Sequence, residues 1–393
     1  LYLIKSIANN HHRSIYFLPK IEKILSYLQN DIKNNFSNQE IYYIFCDSKR
    51  IILFLLRNKI FIINKEIFDI FTDCFGYLIP KYQYYFFKEL KEFNDEGVKD
   101  FYDYDYMINL LKDHSDEYEQ KRSNGENHNE LCTIIRKDSL DEFKSYIEKE
   151  NIELSSEIEI SYLETNQLLL PRFKNNPTLI EYASFYGSKQ IFEYLMQKNV
   201  NFDPSSIIKY SIHSQNLDFI HFLEKSNIKP DIDSYKEAIK CHHNDIAKYI
   251  KDNYFHDNEE IDKVCLNTIF QSYNYSYLPD KDDIEMFYYI CKYNYCSLFK
   301  LILNSRKFNI NQKVKIVSEK VDGSKEINET VLYIASKKGN SNIVNLLLQQ
   351  KEIDINMTSL RCKHDSKSET KEKYTPLYIA LKKGFESVVK LLL

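Results

Sequence analysis

Two stretches decide the fold: Thr330-Val-Leu-Tyr-Ile-Ala-Ser-Lys-Lys-Gly339 and Thr375-Pro-Leu-Tyr-Ile-Ala-Leu-Lys-Lys-Gly384. The first continues into Ile343-Val344 and Leu346-Leu347-Leu348, the second into Val388-Val389 and Leu391-Leu392-Leu393. Each element has a mechanical job. Thr375 is placed to cap a helix, with Pro376 at the first helical position, where a missing N–H costs nothing. Ala335 and Ala380 are small, as close packing of neighbouring helices requires. Gly339 and Gly384 end the helix in the left-handed conformation that only Gly adopts cheaply. The Ile/Val/Leu cluster supplies the buried stripe of a second helix.

This motif resembles the ankyrin repeat, whose signature is Thr-Pro-Leu-His-x-Ala, a Gly four residues later, then Ile/Val-Val-x-x-Leu-Leu. Leu332 and Leu377 are 45 residues apart, about 12 more than the ordinary ankyrin period of ~33. The extra length falls in Met357 to Lys373, where ankyrin repeats carry a projecting finger loop. Another 45 residues back, Phe287 to Leu303 keeps the pattern, with Ile290 in the Ala slot, Asn294 in the Gly slot, and Asn309-Ile310-Asn311 matching Asp354-Ile355-Asn356.

Weaker copies precede these. Thr178-Leu-Ile-Glu-Tyr-Ala183 with Gly187, Ile191-Phe192 and Tyr194-Leu195 keeps both Ala and Gly. Ile208, Ser211, Gln215, Phe219-Ile220 and Phe222-Leu223 form the next copy, and Tyr235, Ala238, His242, Ile246-Ala247 and Tyr249-Ile250 the one after. Their anchors Ala183, Ser211 and Ala238 stand 28 and 27 residues apart, so their fingers are shortened to simple helix pairs. Leu131 to Ile147 reads as a first pair, and one irregular helix is expected between Asp257 and Pro279.

Residues 1–112 have a helical rhythm without this signature: Ile21, Ile24, Leu25 and Leu28, then Asn38 to Phe45, Ile51 to Leu56, and Lys65 to Phe75. Tyr84-Tyr85-Phe86-Phe87 is expected to be buried. Residues 113–130 are polar and nearly free of apolar side chains, which reads as a linker or loop. The domain reading is therefore an N-terminal helical domain over 1–112, a linker over 113–130 and a solenoid over 131–393, degenerate to about 311 and well formed from 329. The fold class is all-α: an ankyrin-type α-solenoid of stacked helix pairs with an N-terminal helical region. The arrangement resembles the large ankyrin families of some parasitic protists, which carry an N-terminal helical domain of unknown function.

Composition bounds the function. The 393 residues exceed the ~250–300 at which single cores stop growing. The chain has 32 Tyr and 25 Phe, but its formal charge of −4 gives no basic field along which nucleic acid would stack on aromatics. The eight cysteines are spread thinly, as reduced thiols of an intracellular, cytoplasmic protein. The most apolar run, Ile51 to Ile63, is broken by Arg57, Asn58 and Lys59 and is too short to span a bilayer. Leu1 in place of Met, and an end at Leu393 inside an expected helix, read as a fragment. A regulatory or membrane-proximal adaptor, with an effector domain or membrane span elsewhere in a longer chain, is the alternative reading.

Cys241-His242-His243, even with Cys291 and Cys296, lacks the ligand spacing of a zinc site, and His242 falls in the turn-Gly slot, so these read as turn and packing residues. Cys362, His364 and Asp365 lie in a hydrophilic insertion. Asp100, Asp103 and Asp105 lack the Gly and terminal Glu of a calcium loop. No phosphate loop, nucleophile elbow or His-Glu-x-x-His stretch is present. Neither an enzyme, a cofactor nor a metal is expected.

The candidate partner-binding residues are Lys337, Lys338, Lys382 and Lys383, which hold equal positions in adjacent repeats, with Tyr333 and Tyr378 beside them. Stacking sets the lysines side by side as a basic stripe for an acidic protein segment, or as ordinary solvated surface. The repeat-signature residues are Thr178, Ala183, Gly187, Thr330, Ala335, Gly339, Thr375, Pro376, Ala380 and Gly384. By resemblance, the expected function is non-catalytic protein binding through finger loops and inner-helix surfaces.

Overall fold

The computed structural model describes residues 4, 18–72, 80–101, 104–113, 115–166, 168–170, 176–256, 261–278, 284–305, 309–320, 323–365 and 368–393. Its contacts divide the chain into two units, Leu1–His256 and Asp257–Leu393.

The first unit opens with α1 (Leu18–Tyr27), α2 (Gln29–Asn35), α3 (Asn38–Phe45), α4 (Lys49–Arg57), α5 (Lys65–Thr72), α6 (Pro80–Tyr85), α7 (Phe87–Phe93), α8 (Tyr104–Asp113) and α9 (Ser115–Asn124). Short helices cannot hold themselves in water, so tertiary burial decides them. Here an aromatic core does so: Phe45, Phe61, Phe71, Tyr85, Phe86 and Phe87 are buried, and Phe71 lies 5.1 Å from both Tyr82 and Phe86 between ring centroids. Ser37 starts α3 with a capping box closed by Glu40. The helix expected over Lys65 to Phe75 is seen to Thr72, and residues 73–75 lie outside the described residues.

The stretch 113–130 is not loop throughout: residues 115–124 are helical and 125–129 are not. It holds α9, a helix without an apolar stripe, anchored instead through polar side chains. Arg122 is buried, and its guanidinium donates to the Tyr85 carbonyl at 3.1 Å and pairs with Glu89 at 2.7 Å and Glu119 at 2.8 Å. Tyr118 is buried beside it and donates to the Tyr84 carbonyl at 3.1 Å. The two terminal nitrogens of this fork are shared between two carboxylates and a carbonyl, while Nε is buried without a partner; hydropathy does not register that anchor.

Helix pairs follow: α10 (Glu130–Arg136) with α11 (Leu140–Lys149), α12 (Leu179–Tyr186) with α13 (Lys189–Gln197), α14 (Pro204–Ile212) with α15 (Leu217–Lys225), and α16 (Ile232–Lys240) with α17 (Asn244–Tyr254). The first helix of each pair packs on the first helix of the next, from α10 through α12 and α14 to α16, as in a solenoid. Thr178 caps α12 in a capping box with Glu181, Ala183 is fully buried, and Gly187 ends the helix at φ 70°. Where Gly is missing, the same turn is kept by residues in the left-handed region, Gln215 at φ 55° and His242 at φ 57°. The connector between α11 and α12 is tied to the N-terminal helices, because Lys49 Nζ donates to the carbonyls of Tyr162 and Glu164 at 3.1 and 3.3 Å.

The second unit starts with α18 (Ile261–Ser272), the expected irregular helix. Three pairs follow: α19 (Ile284–Lys292) with α20 (Cys296–Ser305), α21 (Val331–Lys338) with α22 (Ser341–Leu348), and α23 (Pro376–Lys383) with α24 (Glu386–Leu392). The core runs continuously through Phe287, Ile290, Phe299, Leu332, Ala335, Val344, Leu347, Ala380 and Val388. The fingers are not irregular loops. They are antiparallel hairpins, β1 (Val314–Lys320) with β2 (Gly323–Glu329) and β3 (Ser359–Asp365) with β4 (Ser368–Tyr374). Pairing of Ile327 with Arg361 and Asn328 with Leu360 joins them into one sheet in the order β1-β2-β3-β4. Helix pairs still carry the packing, so the all-α solenoid holds, with strands confined to the fingers.

Candidate protein-interaction surface

The surface is assembled from the ends of the inner helices α19, α21 and α23. In the last two, sequence sets both termini. Thr330 Oγ1 accepts from the Tyr333 amide and Thr375 Oγ1 from the Tyr378 amide, each at 3.2 Å, while Gly339 and Gly384 stand at φ 74°. Pro376 occupies the first turn of α23. Ala335 and Ala380 are fully buried, which lets α19 and α23 close on either side of α21. Two polar links fix neighbouring copies: the Thr330 amide donates to Ser359 Oγ at 3.1 Å, and Asn340 Nδ2 to the Cys291 carbonyl at 2.6 Å.

These constraints place Lys292, Lys337 and Lys382 at 45-residue intervals at the same helical position. Their surroundings differ. Lys337 is mostly covered and its Nζ lies 2.6 Å from Oε1 of the buried Glu329; it also rides over the Tyr333 ring at 5.6 Å. Tyr333 itself is only 3% exposed, so it belongs to the stack and presents little surface. Lys382 is exposed and sits over Tyr374 and Tyr378 at 5.1 and 5.9 Å. Those two rings are stacked at 4.6 Å and 2° between planes, and Tyr378 is 45% exposed. Lys338 and Lys383 are exposed, and no carboxylate among the described residues pairs with Lys338, Lys382 or Lys383.

Lys292 was missed by the sequence reading, although the 45-residue spacing from Lys337 could have found it. It donates to Asn267 Oδ1 at 2.6 Å and lies 5.0 and 5.1 Å from the rings of Tyr289 and Tyr293. Burial, then repulsion from Lys338 and Lys337, pulls its ammonium down to about 8. Cation–π contacts hold such lysines against aromatic faces without neutralising them.

A family model described as ankyrin repeats (3 copies) matches residues 286–393. Residues 286–393 are an ankyrin-repeat array. The match takes in the degenerate copy at Phe287 together with the two well-formed ones. No curated protein matches the chain. Ankyrin repeats are generally protein–protein interaction modules, and among the described residues no helix is long and apolar enough to cross a membrane.

The other singled-out groups are dispersed by the fold. Cys241 is buried, while His242 and His243 line an open groove with Gln215, Asp218 and Asp245, so the three do not converge. Cys291 is buried in the ankyrin core, and Cys296 opens α20. Cys362, His364 and Asp365 belong to β3. Asp105 lies in the first turn of α8, and Asp103 lies outside the described residues.

Proposed function

We propose that the protein is a non-catalytic scaffold whose ankyrin array binds an acidic segment of a protein partner along the ends of α19, α21 and α23. The observation that carries this reading is the row of exposed lysines, Lys338, Lys382 and Lys383, beside the open Tyr374–Tyr378 pair. The finger sheet borders the row, since β2 leads into α21 and β4 into α23. Within the row Lys337 has a structural duty to Glu329, and Tyr378 rather than Tyr333 offers an aromatic face. The helix pairs from Glu130 to Tyr254 are read as shortened members of the same solenoid type, which support the fold without fingers. Chemistry, where it occurs, belongs to the partner.

Fluorescence anisotropy with a labelled acidic peptide tests this. The wild-type chain binds it, and Lys338→Glu/Lys382→Glu/Lys383→Glu weakens binding by roughly tenfold or more, with affinity falling as salt is raised. Equal affinity of the wild type and the triple variant removes the basic row from the proposal.

A further inference from the structure

The fold brings together three buried ligand-type side chains that sequence spacing did not group: His213, just beyond the end of α14, and Glu237 and Cys241, one turn apart on α16 and its cap. His213 Nε2 lies 3.0 Å from Glu237 Oε1, Cys241 Sγ lies 3.8 Å from that nitrogen, and Sγ to Oε1 is 3.7 Å. A circle through these three atoms has a radius of about 2 Å, the length of a zinc–ligand bond. All three residues are at least nine-tenths buried, and the His213 ring is fixed by stacking on Phe185 at 5.0 Å and 19°.

The repeat pattern does not demand this set. At the positions equivalent to Glu237 and Cys241, 27 residues earlier, the previous pair carries Tyr210 and Ser214. Charge also fits: a thiolate and a carboxylate neutralise a divalent ion beside a neutral imidazole, so the buried assembly carries no net charge. Lys240 Nζ, 3.1 Å from the same Oε1, stands on a side chain 49% exposed and can turn to solvent when an ion takes its place.

We propose that His213, Glu237 and Cys241 form a binding site for a divalent ion of the zinc class, which staples the α14–α15 pair to the α16–α17 pair. Soft sulfur with nitrogen and one carboxylate oxygen favours zinc or cobalt over calcium or magnesium. The ion does for these fingerless pairs what the joined hairpins do for the ankyrin array: it ties one copy to the next.

Titration of the reduced, chelator-treated full chain with Co²⁺ tests the site. A sulfur-to-cobalt charge-transfer band is expected to saturate at about one ion per chain. Cys241→Ser and His213→Gln abolish it, and Cys132→Ser, at another buried thiol, leaves it unchanged. Zn²⁺ raises the melting temperature of the wild type and not of Cys241→Ser. Absence of the band in the wild type, its persistence in Cys241→Ser, or a wild-type melting temperature indifferent to Zn²⁺ overturns the proposal. The wild-type titration decides the matter even where a variant folds poorly.

Discussion

Lys337 Nζ and Glu329 Oε1 are 2.6 Å apart, and the other carboxylate oxygen accepts from the Tyr288 hydroxyl at 3.1 Å, so one buried acid at the end of β2 binds two successive inner helices. Removing Lys337 leaves a buried carboxylate with a single donor. Lys337→Met is expected to cost about 2 kcal/mol or more in urea unfolding. Lys382→Met, at the equivalent but exposed position, is expected to change stability by about 0.5 kcal/mol or less. Equal costs would show that the two lysines share one role.

The glycines that close α21 and α23 share φ 74° but not their surroundings. A Cβ on Gly339 would meet Phe385 Cδ1 at 2.9 Å, whereas at Gly384 nothing lies within 4 Å. Both Ala substitutions carry the left-handed penalty of about 1 kcal/mol. Gly339→Ala is expected to exceed Gly384→Ala by about a further 1 kcal/mol through repacking of Phe385, measured as the difference in thermal unfolding.

Gln215 and Asn294 hold the Gly slot of their copies at φ 55° and 62°. Gln215→Gly is expected to stabilise by about 0.5–1 kcal/mol, because a long side chain tolerates this region poorly. Asn294→Gly is expected to gain only a few tenths, since Asn adopts it readily. Destabilisation by Gln215→Gly would show that its contact with His243, at 3.2 Å, outweighs the backbone strain.

Glu164 is buried, and although the amides of Asn166 at 2.7 Å and Asn127 at 3.0 Å favour its charge, burial dominates and lifts its carboxyl from 4.5 to about 7. Between those values the folded state holds a proton that the unfolded chain has lost, so this group's contribution to stability falls as pH rises. Glu164→Gln is expected to remove that fall, and the gap between wild type and variant changes by roughly 3 kcal/mol from pH 4.5 to above 7. A gap independent of pH would contradict the assignment.

Much of this fold was legible because local chemistry and packing agree. Thr330, Ala335 and Gly339 each specify a cap, a close approach or a left-handed turn that needs no other part of the chain to be recognised. What escaped was held by long-range polar contacts. Within 113–130 the helix α9 was not legible, because it docks through Arg122 and Tyr118 and no apolar period announces an ion-paired helix. The fingers passed for loops because polar and charged residues dominate β3 and β4, and their pairing depends on a neighbouring hairpin. Among the candidate surface residues, the lysine register was readable, but the burial of Tyr333 and the tie from Lys337 to Glu329 were not, since both depend on what the next copy places opposite. His213, Glu237 and Cys241 meet only because α14 packs on α16.

Affinity capture from the source cell, comparing the wild-type chain with Lys338→Glu/Lys382→Glu/Lys383→Glu, tests the central claim most directly. Both proteins are first checked for the same helical content and melting temperature. Proteins with acidic segments are expected to be recovered by the wild type and depleted at least about tenfold with the variant. The same proteins recovered in equal yield from both would contradict binding through the lysine row.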